Sequence, residues 1–128
     1  MSSNFDFLSN KFPILYNIGN LAEKNLYNDP SSTIIKLRLF AEKLTFHIFD
    51  ISGLQFPLED NLNSRLKTLK FYDAVPEQVL NILYRIKNIG NKAVHEGIGD
   101  LNEASELLET TFKIALWFFI VYGQDDIK

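Results

Sequence analysis

Residues 28–51 read NDPSSTIIKLRLFAEKLTFHIFDI, and the fold turns on whether this run is helix or strand. Its β-branched and aromatic residues fit either state. About twenty residues without an internal turn signal, however, exceed an ordinary strand and suit a helix. The opening Asn-Asp-Pro-Ser-Ser supplies an N-cap followed by a proline in the first turn, where a missing N–H costs little. Ile34, Leu37, Ala41, Leu44 and Ile48 recur at helical spacing, and Ile35, Leu39, Phe40, Phe46 and Phe49 widen the stripe. A helix apolar over so much of its surface belongs at the centre of a bundle.

Working outward, residues 12–27 form a first helix with Ile14, Ile18, Leu21 and Ala22 on one face, after a short turn at 5–8. A loop at 52–59 leads to a third helix at 58–71, whose narrow apolar face (Leu62, Leu66, Leu69) places it on the outside. The fourth starts at Pro76-Glu77, turns Val79, Ile82, Leu83, Ile86, Ala93 and Val94 inward, and ends near His95-Glu96-Gly97. The fifth runs from Asp100, a good N-cap, to residue 122. Its core stripe is Leu101, Ala104, Leu107, Leu108, Thr111, Phe112, Ala115, Leu116 and Phe119. No segment alternates with a period of two. The reading is one all-α domain over residues 1–128, an antiparallel bundle of about five helices.

The composition excludes several function classes. The 128 residues are 46% hydrophobic and 23% charged with a formal net charge of −3, so a broad basic footprint for non-specific nucleic-acid binding is missing. With no cysteine, disulfides, thiolate metal sites and cysteine nucleophiles are ruled out. The N-terminus lacks a basic segment followed by an apolar run, and the most apolar stretch, 114–122, is too short to cross a bilayer. A cytoplasmic protein with no membrane role and no cofactor is expected.

Chemistry concentrates on the fourth helix. Tyr84, Asn88, Asn91 and His95 are spaced by four, three and four residues and share a face, with Lys92 beside Asn88 and His95. His95 suits general acid–base work near neutral pH, or capping of the helix end. On the second helix Arg38 and Glu42 are either an exposed i,i+4 ion pair or turned inward toward the fourth helix. The candidate binding set is therefore Arg38, Glu42, Asn88, Asn91, Lys92 and His95, with His95 and Asn91 as catalytic candidates. His47, without a second histidine or acidic cluster nearby, reads as structural, and no metal site is expected. Lys43, Arg65, Lys67 and Lys70 form a modest basic patch, read as a solvated face. Gly97-Ile98-Gly99 is a lone G-x-G after a helix, not a phosphate loop.

Four blocks in order carry a family resemblance: NFDFL at 4–8, DPSSTIIKLRLFAE at 29–42, KNIGNKAVHE at 87–96, and DLNEA at 100–104 with ALWFFIVYG at 115–123. Over about residues 4–123 the chain resembles the small helical domain at the N-terminus of the R subunits of type I restriction enzymes and related DEAD/DEAH helicases. That domain is similar in turn to the HEPN superfamily of helical bundles, many of which are metal-independent RNases using an Arg-Asn-x-x-x-His motif at a dimer interface. Asn91 and His95 match the motif, but Gly90 stands where the catalytic arginine would be, and Arg85 lies too far before His95. Without that cation the main electrostatic stabilisation of a phosphoryl transition state is missing.

The resemblance implies a HEPN-like accessory domain, itself non-catalytic, of a restriction or helicase subunit in bacterial defence. It would contact other domains or subunits of that complex, or nucleic acid such as DNA. The polar tail at 123–128 fits a domain followed by more chain. Two alternatives stand beside it. One is an RNase using His95, working as a homodimer with Lys92 or Lys87 replacing the arginine. The other is a stand-alone small binding protein presenting the Trp/Phe/Tyr cluster near its C-terminus.

Overall fold

A computed structural model describes residues 3–97 and 99–124. A 3-10 turn at Asp6–Leu8 precedes α1 (Pro13–Asn25), α2 (Pro30–Ser52), α3 (Leu62–Phe71), α4 (Glu77–Glu96) and α5 (Leu101–Tyr122). There is no strand among the described residues. The polar tail beyond 124, and Ile98 of the G-x-G, lie outside them.

The helix ends follow local chemistry. Asp29 accepts hydrogen bonds from the Ser32 amide at 3.3 Å and the Ser32 hydroxyl at 2.6 Å, starting α2. These bonds to its charged form hold the Asp29 carboxyl below the ordinary carboxylate range. Asn61 and Asp100 cap α3 and α5 in the same way, accepting from the amides of Ser64 and Glu103. Both α2 and α4 end on a left-handed glycine, Gly53 (φ 71°) and Gly97 (φ 69°).

As its sequence implied, α2 is the hub: it packs against α1, α4 and α5 and also touches α3. Ile34, Leu37, Phe40, Ala41, Leu44, Ile48 and Phe49 are all fully buried. The α1–α2 seam is closed by the N-terminal turn, whose Phe5 ring sits 5.5 Å from Phe40 and edge-on to Phe112 at 5.9 Å. The Thr33 hydroxyl donates to the Ala22 carbonyl at 2.6 Å, tying the start of α2 to α1.

Several faces are rotated from the expected ones. On α1 the buried stripe is Leu15, Ile18, Gly19 and Ala22, whereas Ile14 and Leu21 face solvent. The cause is Gly19: a Cβ there would lie 2.6–2.9 Å from the Phe5 ring, so the helix turns its small residue toward that ring. Ile35 and Phe46 on α2, Val94 on α4, and Leu101 and Leu116 on α5 are likewise exposed, and α5 buries Ile114 and Phe118 instead. The third helix begins at Leu62, not at residue 58, because Asn61 caps it, and Leu58 is fully exposed in the preceding loop.

Candidate functional site

Residue 90 explains how α2 and α4 meet. A Cβ at Gly90 would lie 2.7 Å from the Cβ of Arg38 and 2.8 Å from its Cδ, so the arginine stem crosses α4 directly over the glycine. A mid-helix glycine costs about 1 kcal/mol relative to alanine, and this close approach is what the position gains in return. Having crossed, Arg38 donates from Nε to Asn91 Oδ1 at 2.8 Å and from Nη1 to the Glu42 carboxylate. The pair is half-buried, with side-chain exposures of 30% and 34%. Of the two placements open to Arg38 and Glu42, the structure takes the inward one.

Arg38, Glu42 and Asn91 are thus joined, while the rest of the predicted set is not. Asn88, Lys92 and His95 are exposed, and His95 makes no hydrogen bond to a described residue. Glu42 is engaged by Arg38 and does not orient the imidazole. The α4 helix end is closed by the Gly97 amide donating to the Ala93 carbonyl at 2.8 Å. Lys92 borders a shallow depression of about 260 Å³ with Gly99, Asp100 and Glu103. Lys87 is drawn the other way, donating to Asn63 Oδ1 on α3 at 2.8 Å and lying 5.1 Å from the centre of the Tyr84 ring.

A cleft of about 280 Å³ continues from Arg38 and Glu42 to Lys43, Phe46, Asp60, Asn61, Leu62 and Arg65. Arg65, read from sequence as part of a solvated patch, is instead a clamp. Its Nε and Nη2 donate to the two Asp60 oxygens at 2.7 and 2.9 Å, and its Nη1 donates to the Glu42 carbonyl at 2.8 Å. Its guanidinium also lies 5.4 Å from the centre of the Phe56 ring. The hydrogen bonds from Arg65 hold the Asp60 carboxyl below its ordinary range. The sequence signal for this clamp was faint: an acid just before an N-cap with an arginine one turn inside the helix.

His47 is ringed by aromatics, with Phe12 at 5.1 Å, Phe46 at 6.0 Å and Phe118 at 6.2 Å between centroids. Burial pushes its pKa down, with Asp50 opposing and Lys43 adding to the shift. The C-terminal aromatic cluster is not an exposed platform: Phe118 is buried and Trp117, Phe119 and Tyr122 are packed against the core. The solvent-facing residues there are the aliphatic Ile120 and Val121. Among the described residues no group of three His, Asp or Glu side chains is arranged to hold a metal ion, and no helix is long and apolar enough to cross a membrane.

An all-helical domain built on a central α2, with a polar join between α2 and α4, is the class these observations define. Residues 20–122 match the model of a domain of unknown function, DUF4145, and the chain belongs to that family. Over 123 residues, 96% of its length, the chain is 34% identical to the type I restriction enzyme EcoKI endonuclease subunit of Escherichia coli. It spans a tenth of that relative's length. No solved structure matches it.

Proposed function

We propose that this domain is a non-catalytic accessory module of a cytoplasmic restriction endonuclease subunit or related DNA helicase, acting through contacts with other domains, subunits or nucleic acid. The observation that carries the reading is the alignment itself: nearly the whole chain is similar to one tenth of a restriction enzyme subunit. The side-chain arrangement is compatible with it. The Arg38 guanidinium is tied to Asn91 and Glu42, and the exposed His95 imidazole makes no hydrogen bond to a described residue.

The native mass tests this directly. An antibody against the domain, used on source cells, should detect a band roughly ten times the chain's 14.8 kDa. A band at the mass of the chain alone removes the restriction-subunit context.

One observation favours a second reading, a HEPN-type metal-independent RNase. Arg38 lies over Gly90 and beside Asn91, so α2 brings an arginine to the neighbourhood of the residue that lacks one. Neither Lys87 nor Lys92 does this. In that reading single-stranded RNA is cut in the presence of a chelator by a homodimer, and cleavage is lost in Arg38→Ala and in His95→Ala. The accessory reading expects no cleavage by the wild-type chain.

A further inference from the structure

The loop after α2 and the end of α3 border an open groove of about 690 Å³. Its two walls differ. The wall formed by Phe56 is fixed: the ring stacks on Phe49 at 5.1 Å and on Phe46 at 5.3 Å, with Arg65 against it. The rim is free: Leu58 is fully exposed, Phe71 is 79% exposed and Tyr72 62%. Large apolar side chains gathered around one concavity, unlike those scattered singly over a surface, suit a contact surface. Backbone geometry ends α3 directly behind two of them. Asp73 takes a left-handed conformation (φ 51°), and the Ala74 amide donates to the Leu69 carbonyl at 2.9 Å.

The groove's electrostatics select among occupants. Lys67 is the one charged side chain among its described lining residues, and it forms no ion pair with a described residue. A single lysine on a chain of net charge −3 neutralises too few phosphates to hold a nucleic acid. A second copy is also disfavoured, because a two-fold contact centred on the groove sets Lys67 near the same lysine of the other copy. A polypeptide segment with large apolar side chains and an acidic residue meets both features, filling the space between the Phe56 wall and the Phe71–Tyr72 rim and pairing with Lys67.

We infer that this groove docks an acidic, apolar peptide segment of another domain or subunit. The inference rests on the accessory-module reading and names the surface that such a module would use.

The test is selection of peptides from a random displayed library on the wild-type chain, followed by fluorescence anisotropy on the synthesised winners. The expected winners combine two or more large apolar residues with an Asp or Glu. Phe71→Ala and Tyr72→Ala should each weaken them about tenfold, ~1.4 kcal/mol. Lys67→Glu should weaken them similarly, and should bind better the same peptides carrying Lys in place of the acid. Both aromatic positions are so exposed that their variants keep the core intact, and circular dichroism checks this.

The inference is overturned if no peptide is selected, or if the winners are indifferent to Phe71→Ala and Lys67→Glu. It is overturned in favour of nucleic acid if labelled oligothymidine binds and Phe71→Ala abolishes that binding. It gives way to self-association if the chain is a dimer that Phe71→Ala dissociates. The native-mass experiment reads the accessory role separately, so a failure of the groove is told apart from a failure of the accessory reading.

Discussion

Where α1 meets α2, the Phe5 ring lies against Gly19 and between Phe40 and Phe112, an apolar contact. Where α3 meets the rest, Leu62, Leu66 and Leu69 supply a narrow buried stripe, flanked by the Arg65–Asp60 ion pair and by hydrogen bonds from Arg65 and Lys87. The two seams teach different lessons about what a short helix needs. A wide apolar contact gains from area and shape, and tolerates no added volume. A ten-residue helix with three buried leucines has less area to offer, so directional bonds from a half-buried arginine fix its register. The join at Arg38 and Gly90 combines both, a stem packed on a glycine and a head group hydrogen-bonded beyond it.

The contrast can be broken most severely at Phe5. Replacing Phe5 with Ala should cost ~3–5 kcal/mol, the usual range for emptying a fully buried phenylalanine site, and chemical denaturation would measure it. Gly19→Ala should destabilise by ~1–3 kcal/mol through overpacking, since a buried ring cannot easily yield to the added methyl. Arg65→Ala should cost a similar ~1–3 kcal/mol, but unevenly. Amide exchange in α3 should accelerate first, while α1, α2 and α5 keep their protection. Uniform acceleration across all helices would dissolve the distinction between the seams.

A smaller and sharper test lies at Gly90. In the wild-type background the methyl of Gly90→Ala strains the Arg38 stem. With Arg38→Gly, which removes the Cβ 2.7 Å away as well as the stem beyond it, the same change should stabilise by ~1 kcal/mol, the ordinary helix preference for alanine. That change of sign is the signature of the close approach, and a double-mutant cycle reads it.

The smallest effect concerns pH. Burial lowers the folded-state pKa of His47, so the unfolded chain binds a proton more readily. Stability is therefore fully present above the ordinary value of about 6.5 and declines as pH falls from there toward the folded pKa. His47→Gln should flatten that decline in thermal melts followed between those limits.

Much of the fold was legible because α2 carries its own instructions. An Asp-Pro-Ser-Ser start and an apolar stripe are local features, and the structure reproduces both. Faces were read less well where one glycine outweighed several large residues. Ile14 and Leu21 have the right spacing for a core, yet Gly19 turns α1 because only a hydrogen leaves room for Phe5, fourteen residues away in sequence. Within the candidate site, the spacing of Asn91 and His95 told that they share a helix face, and the i,i+4 spacing of Arg38 and Glu42 told that they can pair. Spacing could not tell that Arg38 reaches Asn91 across 53 residues of chain while His95 stays in solvent.

By itself, then, the sequence determined the helical class, the order of the helices, the N-caps of α2 and α5 and the central place of α2, because hydrogen-bonding period and capping act within a few residues. Only the tertiary structure decided which face of α1 is buried, that Gly90 is a seat for Arg38, that Arg65 is a clamp and not a solvated charge, and that Phe71, Tyr72 and Leu58 gather around one groove. Those outcomes depend on volume and on charge pairing between helices, and neither has a period that a single strand of sequence can display.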